Sequence, residues 1–149
     1  MPKLLELKIR QDFGSLAALR NMMFRTAMAI HGSGWVWLVV GPNAGLRVLG
    51  SFNAGSPYDF TTRHLRDPNT GLDLNRVNEG QIKGMRKNRK HEYLTLPVLG
   101  LNVWEHAYVI DYGCTIEGKK QYLKNWWKAV NWQRVFEAQS RIKLRTEEE

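Results

Sequence analysis

Four histidines, one cysteine and a cluster of five cations are the side chains whose types could do chemistry. Imidazoles ligate transition metals, but only when further nitrogen, sulfur or carboxylate donors stand at suitable spacing. His64 and His91 have no such spacing to a second His, Cys or carboxylate, so solvent or phosphate contact is their reading. Cys114 follows Gly113 with no base beside it, which describes a structural thiol rather than a nucleophile. Met22, Met23 and Met28 could form a soft donor set, yet flexible core filling is the commoner use of helical methionine. The remaining cluster is basic: Lys83, Arg86, Lys87, Arg89 and Lys90 stand in KGMRKNRK without an acid, a pattern suited to phosphate contact.

The elements that must position these groups belong to one ordinary domain. The 149 residues are 43% hydrophobic and 24% charged, a composition that folds. With 22 Lys plus Arg against 14 Asp plus Glu the net charge is +8, which favours polyanions as neighbours. A single cysteine excludes an internal disulfide and fits a reduced compartment. The longest apolar run, Trp35 to Val40, falls far short of the roughly 20 residues that span a bilayer, so no membrane is expected. The opening MPKLLELKIR is a poor match to a secretory signal or transit peptide.

Apolar residues Leu16, Leu19, Met23, Ala27 and Ile30 recur at helical spacing, with Ser15 as N-cap and Gly32 as stop. Trp35 to Val40 predicts a strand buried on both faces, turned at residues 41–45 into a second strand, Leu46 to Phe52. A third strand is expected over Leu96 to Val103, with Pro97 near its start. A helix from about Glu117 to Val130 places Tyr122, Trp126 and Ala129 on one face, and Asn131 caps a last helix from Trp132 to about Leu144. Residues 59–93, poor in large apolar side chains and carrying the basic cluster, predict a surface insertion. The six tryptophans fall in predicted strands and helices, so packing is expected of them rather than base stacking.

Gly32-Ser33-Gly34-Trp35-Val36-Trp37-Leu38-Val39 and Asn102-Val103-Trp104-Glu105-His106-Ala107-Tyr108 resemble paired motifs in the C-terminal domain of iron and manganese superoxide dismutases. Asp12-Phe13-Gly14-Ser15, Asn53-Ala54-Gly55-Ser56-Pro57 and Tyr122 to Trp132 follow in the family's order, so that residues 9–58 and 94–138 are covered. The resemblance implies a single α+β domain over residues 1–149, a three-stranded antiparallel sheet packed with helices. The family's N-terminal helical hairpin is expected to be missing from this domain, since the family-like helix starts at Ser15.

In that family three histidines and one aspartate hold the metal, the last two ligands lying in DVWEHAYY. This chain reads NVWEHAYV, so the resemblance leaves Asn102 and His106 as vestigial ligand positions, with no metal, cofactor or catalytic residue expected. An amide is neutral and a weaker donor than a carboxylate. His31 stands where the family carries an aromatic residue, which implies packing or a helix-terminal role. Glu105, His106 and Tyr108 match the family's two-fold interface, where the glutamate reaches the partner's ligand histidine; a local hydrogen bond is the alternative for Glu105.

A basic, metal-free chain of this kind resembles the dismutase-like proteins of the fungal mitochondrial small ribosomal subunit. That implies a structural, non-enzymatic ribosomal protein in the mitochondrial matrix, paired with a related dismutase-like protein through Glu105, His106 and Tyr108. Lys83, Arg86, Lys87, Arg89 and Lys90, with Lys119, Lys120, Arg141, Lys143 and Arg145, would face rRNA phosphates or neighbouring small-subunit proteins. Two other readings stay open: a working dismutase subunit whose hairpin comes from elsewhere, and a free-standing RNA-binding assembly factor.

Overall fold

Two helices lead the chain into its sheet. Helix α1 (Lys3–Phe13) ends at Gly14, whose positive φ of 82° lets its N–H close on the Arg10 carbonyl, and α2 (Leu16–Ala29) follows at once. The Ser15 hydroxyl accepts from the Ala18 N–H at 3.0 Å, the expected cap. Helix α1 was not expected from the sequence; it buries only Leu5 and Ile9, one turn apart. The computed structural model describes residues 1–41, 44–58 and 95–147, with side chains described through residue 142. The expected insertion at 59–93, with His64, His91, Lys83, Arg86, Lys87, Arg89 and Lys90, lies outside the described residues, as do the side chains of Lys143 and Arg145.

Strands β1 (Gly34–Val40), β2 (Leu46–Phe52) and β3 (Leu96–Asn102) form an antiparallel sheet in the order β2-β1-β3, as expected. The Asp12 carboxylate pins this sheet to α1, accepting from the Leu46 N–H at 2.7 Å and from Lys8 Nζ at 3.2 Å. On the β1–β3 side the register shifts between Leu38 and Val39, where Pro97 stands. A residue without an N–H is tolerated at such an irregularity on an edge strand.

Alternation along β1 sends Val36, Leu38 and Val40 into the core, where they meet Leu5, Ile9, Leu19, Met23, Ala27, Val48, Leu101 and Leu123. Each such aliphatic or methionine side chain, once fully buried, contributes about 1.5–3 kcal/mol of transfer free energy. Met22 and Met28 pack against the same core, so the methionines are filling rather than donors. The expectation of a strand buried on both faces needs correction at its tryptophans. Trp35 and Trp37 lie half-buried on the opposite face and stack on each other, 5.1 Å between centroids at 17°. The Trp37 indole donates to Ser51 Oγ at 3.0 Å. Gly100 is required beneath them, because a Cβ there would stand 2.9 Å from Trp37 Cζ3. Trp126, Trp127 and Trp132 pack on the core from the helical side, as expected.

Beyond β3 come a 3₁₀ turn (Glu105–Ala107), a short α3 (Val109–Tyr112), α4 (Ile116–Ala129) and α5 (Trp132–Glu147). Thr115 caps α4 through the Gly118 N–H at 3.0 Å, and Asn131 caps α5 through the Arg134 N–H at 3.2 Å. The buried face of α4 is Lys119 and Leu123, flanked by Tyr122 and Trp126; Ala129, expected to share it, is exposed. Among the described residues no helix is long and apolar enough to cross a membrane.

Candidate functional site

The motif that carries the resemblance sits where the sheet hands over to the helices. Val103 extends the ladder, its N–H donating to the Gly34 carbonyl at 3.0 Å. Asn102 then turns the chain: its Oδ1 accepts from the Trp104 N–H at 2.9 Å, the local bond that short amide side chains make two residues ahead. Its own carbonyl accepts from the Tyr122 hydroxyl at 2.7 Å, so α4 is tied to the end of β3. Ala107 and Tyr108 close the 3₁₀ turn onto the carbonyls of Trp104 and Glu105. Glu105 and His106 are thereby lifted to an outward corner, both exposed.

Beneath the corner lies an aromatic stack. Tyr108, 7% exposed, stacks on Tyr122 with centroids 5.4 Å apart at 22°, and Tyr122 in turn meets Tyr112 at 5.7 Å. Tyr108 therefore supports the corner from below rather than standing on it beside Glu105 and His106. Burial pushes the Tyr108 phenol above its usual range, with the Glu105 carboxylate adding to the shift. Burial raises Tyr122 as well, Tyr112 adding to it. A raised folded-state pKa gives stability that is whole below the unfolded value and lost as pH climbs through the folded one. Tyr122→Phe is expected to cost about 1 kcal/mol near neutrality through its lost hydrogen bond. It should also flatten the decline in stability that sets in as pH rises above about 10, the unfolded value of a phenol, read by denaturant titration on the alkaline side.

Lys119 was expected among the phosphate-contacting cations, and the structure corrects this. Its side chain is buried, and its ammonium donates to the Ile30 carbonyl at 2.8 Å, just past the end of α2, where a cation meets the negative end of the helix. The ammonium also lies 6.0 Å from the Tyr108 ring centroid. Burial lowers its pKa, against the nearby Glu105 carboxylate, which acts to raise it. Lys120 and Arg141 are exposed. His31 is exposed just beyond α2, so it has the helix-terminal position and not the aromatic packing.

Among the described residues neither the Glu105 nor the His106 side chain makes a hydrogen bond or ion pair, and the local side-chain bond open to Glu105 does not form. The His106 ring leans on Trp104, 5.6 Å between centroids at 49°, and the Trp104 indole nitrogen is buried without a partner among the described residues. An orphaned buried donor is costly. The corner also carries apolar surface that sequence reasoning missed: Ile110 is 89% exposed, and Ile116, across the Gly113 turn, 67%. A helix of four residues has no periodicity from which that exposure could be read. Cys114 is free and exposed on the same turn.

As a metal site these residues do not fit. Asn102 Oδ1 is engaged with the Trp104 N–H, His106 is one imidazole on an exposed corner, and no group of three His, Cys, Asp or Glu able to hold an ion occurs among the described residues. A redox ion needs a fixed donor set and an ordered shell around it.

The sequence matches the family described as iron/manganese superoxide dismutases, C-terminal domain, in two overlapping stretches, residues 2–74 and 70–138. It is 35% identical over 130 residues to a manganese superoxide dismutase of Acinetobacter baylyi, covering 87% of this chain and 43% of that protein. It is 30% identical over 125 residues to small ribosomal subunit protein mS42 of Schizosaccharomyces pombe, covering 83% and 46%. With small ribosomal subunit protein mS43 of the same yeast it shares 29% over 124 residues, covering 83% and 42%. The chain spans less than half the length of these relatives. The match begins at residue 2, so α1 falls within the C-terminal domain.

Proposed function

This chain belongs to the iron/manganese superoxide dismutase family through its C-terminal domain, and from that premise we propose that it is a non-catalytic component of the small mitochondrial ribosomal subunit, working in the matrix beside a related dismutase-like partner. The observation that carries the reading is Asn102. At the position where the resemblance implies a ligand carboxylate, this chain has a neutral amide committed to the backbone of its own turn. The family contains both enzymes and ribosomal small-subunit proteins at comparable identity, so membership alone does not decide between them. The donor set supports the scaffold.

The pairing surface is the corner of Glu105 and His106, extended by Ile110 and backed by Tyr108. Polar side chains without partners among the described residues, beside an isoleucine that is largely exposed, suit a surface completed by a second chain. Glu105→Ala is expected to weaken that pairing about tenfold in Kd, measured with the purified pair by sedimentation; an unaltered Kd would take the corner out of the interface. Contacts with rRNA and neighbouring small-subunit proteins are assigned to the cluster Lys83, Arg86, Lys87, Arg89 and Lys90, on charge alone.

A working dismutase subunit is the second reading, favoured by the 35% identity to a bacterial manganese enzyme. One pair of measurements separates them. Comigration with the mitochondrial small subunit through a high-salt gradient, without superoxide turnover, is the expected result. Stoichiometric iron or manganese with enzyme-like rates would overturn it, and release by salt would point to a loosely held assembly factor.

A further inference from the structure

Helix α4 divides its lysines between two tasks. Lys119 is turned inward onto the Ile30 carbonyl, whereas Lys120, Lys124 and Lys128, four residues apart, stand exposed on the opposite side. At about 100° per residue those three drift about 40° per step and share one side of the helix, and each step along the row rises about 6 Å. Like charges at this spacing repel across the helix surface, so the row works against the folding of α4 rather than for it. Glu117 relieves its N-terminal end, bonding Lys120 Nζ at 2.6 Å, and its carboxyl is held below the usual range by Lys120 and then Lys124. Neither Lys124 nor Lys128 makes an ion pair among the described residues.

We propose that Lys120, Lys124 and Lys128 form a ridge that contacts successive phosphates of an RNA backbone. The rise between them is close to the separation of neighbouring phosphates along one strand. An ammonium on a flexible stem meets a phosphate as a point charge, without demanding a base or a planar geometry. The neutral hydrogen-bonding residues Gln121 and Asn125 lie beside the ridge, joined to each other at 3.4 Å, and groups of this type serve sugar and phosphate oxygens. A protein partner fits less well. Lysine is depleted from protein interfaces, and the one large apolar residue exposed on α4 among the described residues, Ile116, heads the same row one turn before Lys120, so the row carries a single apolar side chain, at its end by the Gly113 turn.

The inference deepens the ribosomal reading and rests on it only for the source of the RNA. Its test uses the full chain and a mixed-sequence RNA duplex about two turns long. Binding is measured across a salt series for the wild type, for Lys124→Gln/Lys128→Gln and for a control of equal charge, Lys3→Gln/Arg20→Gln. Loss of two phosphate contacts is expected to reduce the slope of log K against log salt by about 1.8, with the control unmoved. Equal reductions in both doubles would mean a diffuse field and overturn the ridge. So would an unchanged slope accompanied by lost retention on polyglutamate, which would identify an acidic protein partner. Circular dichroism of the doubles establishes that α4 is intact, and comigration of the wild type with the small subunit tests the ribosomal reading separately.

Discussion

Gly118→Ala is expected to destabilise the protein by about 3 kcal/mol, the upper end of what forcing a methyl into a packed site costs. Helix propensity alone predicts the opposite sign, a gain of about 1 kcal/mol for alanine over glycine inside a helix. The structure decides between them. A Cβ at residue 118 would run into the Tyr112 carbonyl oxygen and stand 2.9 Å from that of Gly113, and both obstacles are backbone that cannot swing aside. The first turn of α4 is therefore seated directly on the end of α3. Moving it would disturb Tyr112 and the stack on Tyr122 and Tyr108 that underlies Glu105 and His106. Denaturant unfolding reads the sign at once; a stabilised variant would show that α3 does not pack there.

Reversing three charges, Arg86→Glu, Lys87→Glu and Arg89→Glu, is expected to strip the protein from the small subunit at salt concentrations that leave the wild type bound. If each cation neutralises one phosphate, their loss lowers the salt slope for RNA by about 2.7 even before the new repulsion counts. The fold should be unchanged, because charged side chains in a run of cations are seldom core residues. Gradient sedimentation of tagged protein checks both parts. Full incorporation of the triple variant would remove the cluster from the function and leave the α4 ridge as the basic surface in question.

Elements with one dominant period were legible. Helix α2 announced itself through Leu19, Met23 and Ala27, and β1 and β2 through aromatic and β-branched runs closed by glycine, so their bounds fell close to expectation. Helix α1 did not, because its apolar residues fit two periods at once: Leu5, Leu7 and Ile9 alternate as in a strand, while Leu5, Ile9 and Phe13 recur at helical spacing. Its cap, Pro2, offers no side-chain oxygen, and Leu4 and Leu7 end up exposed. Lys119 was misread on charge, although it shares helical phase with Leu123 and Trp126, which could have marked it as inward-facing. On the second face of the sheet Val39 and Leu49 are buried as expected, but Trp35 and Trp37 were misread on hydrophobicity: residue type says that they avoid water, not that another layer covers them. At the corner, the motif brought Asn102, Glu105 and His106 into view, but nothing in it could say that Asn102 would turn its oxygen onto the Trp104 N–H. That depends on the angle at which β3 breaks into the 3₁₀ turn, which is a property of the packed molecule.

The thiol at the Gly113 turn bears on how pairing is to be scored. Cys114 is the sole cysteine of the chain and is open to solvent. In air, two copies therefore have one available covalent link, and it forms within reach of the corner assigned to the partner. An oxidised doublet on a gel would imitate the biological complex, so association is to be weighed under reductant. The same chemistry makes residue 114 a single-address anchor for a maleimide dye, whose emission would report the approach of a second protein.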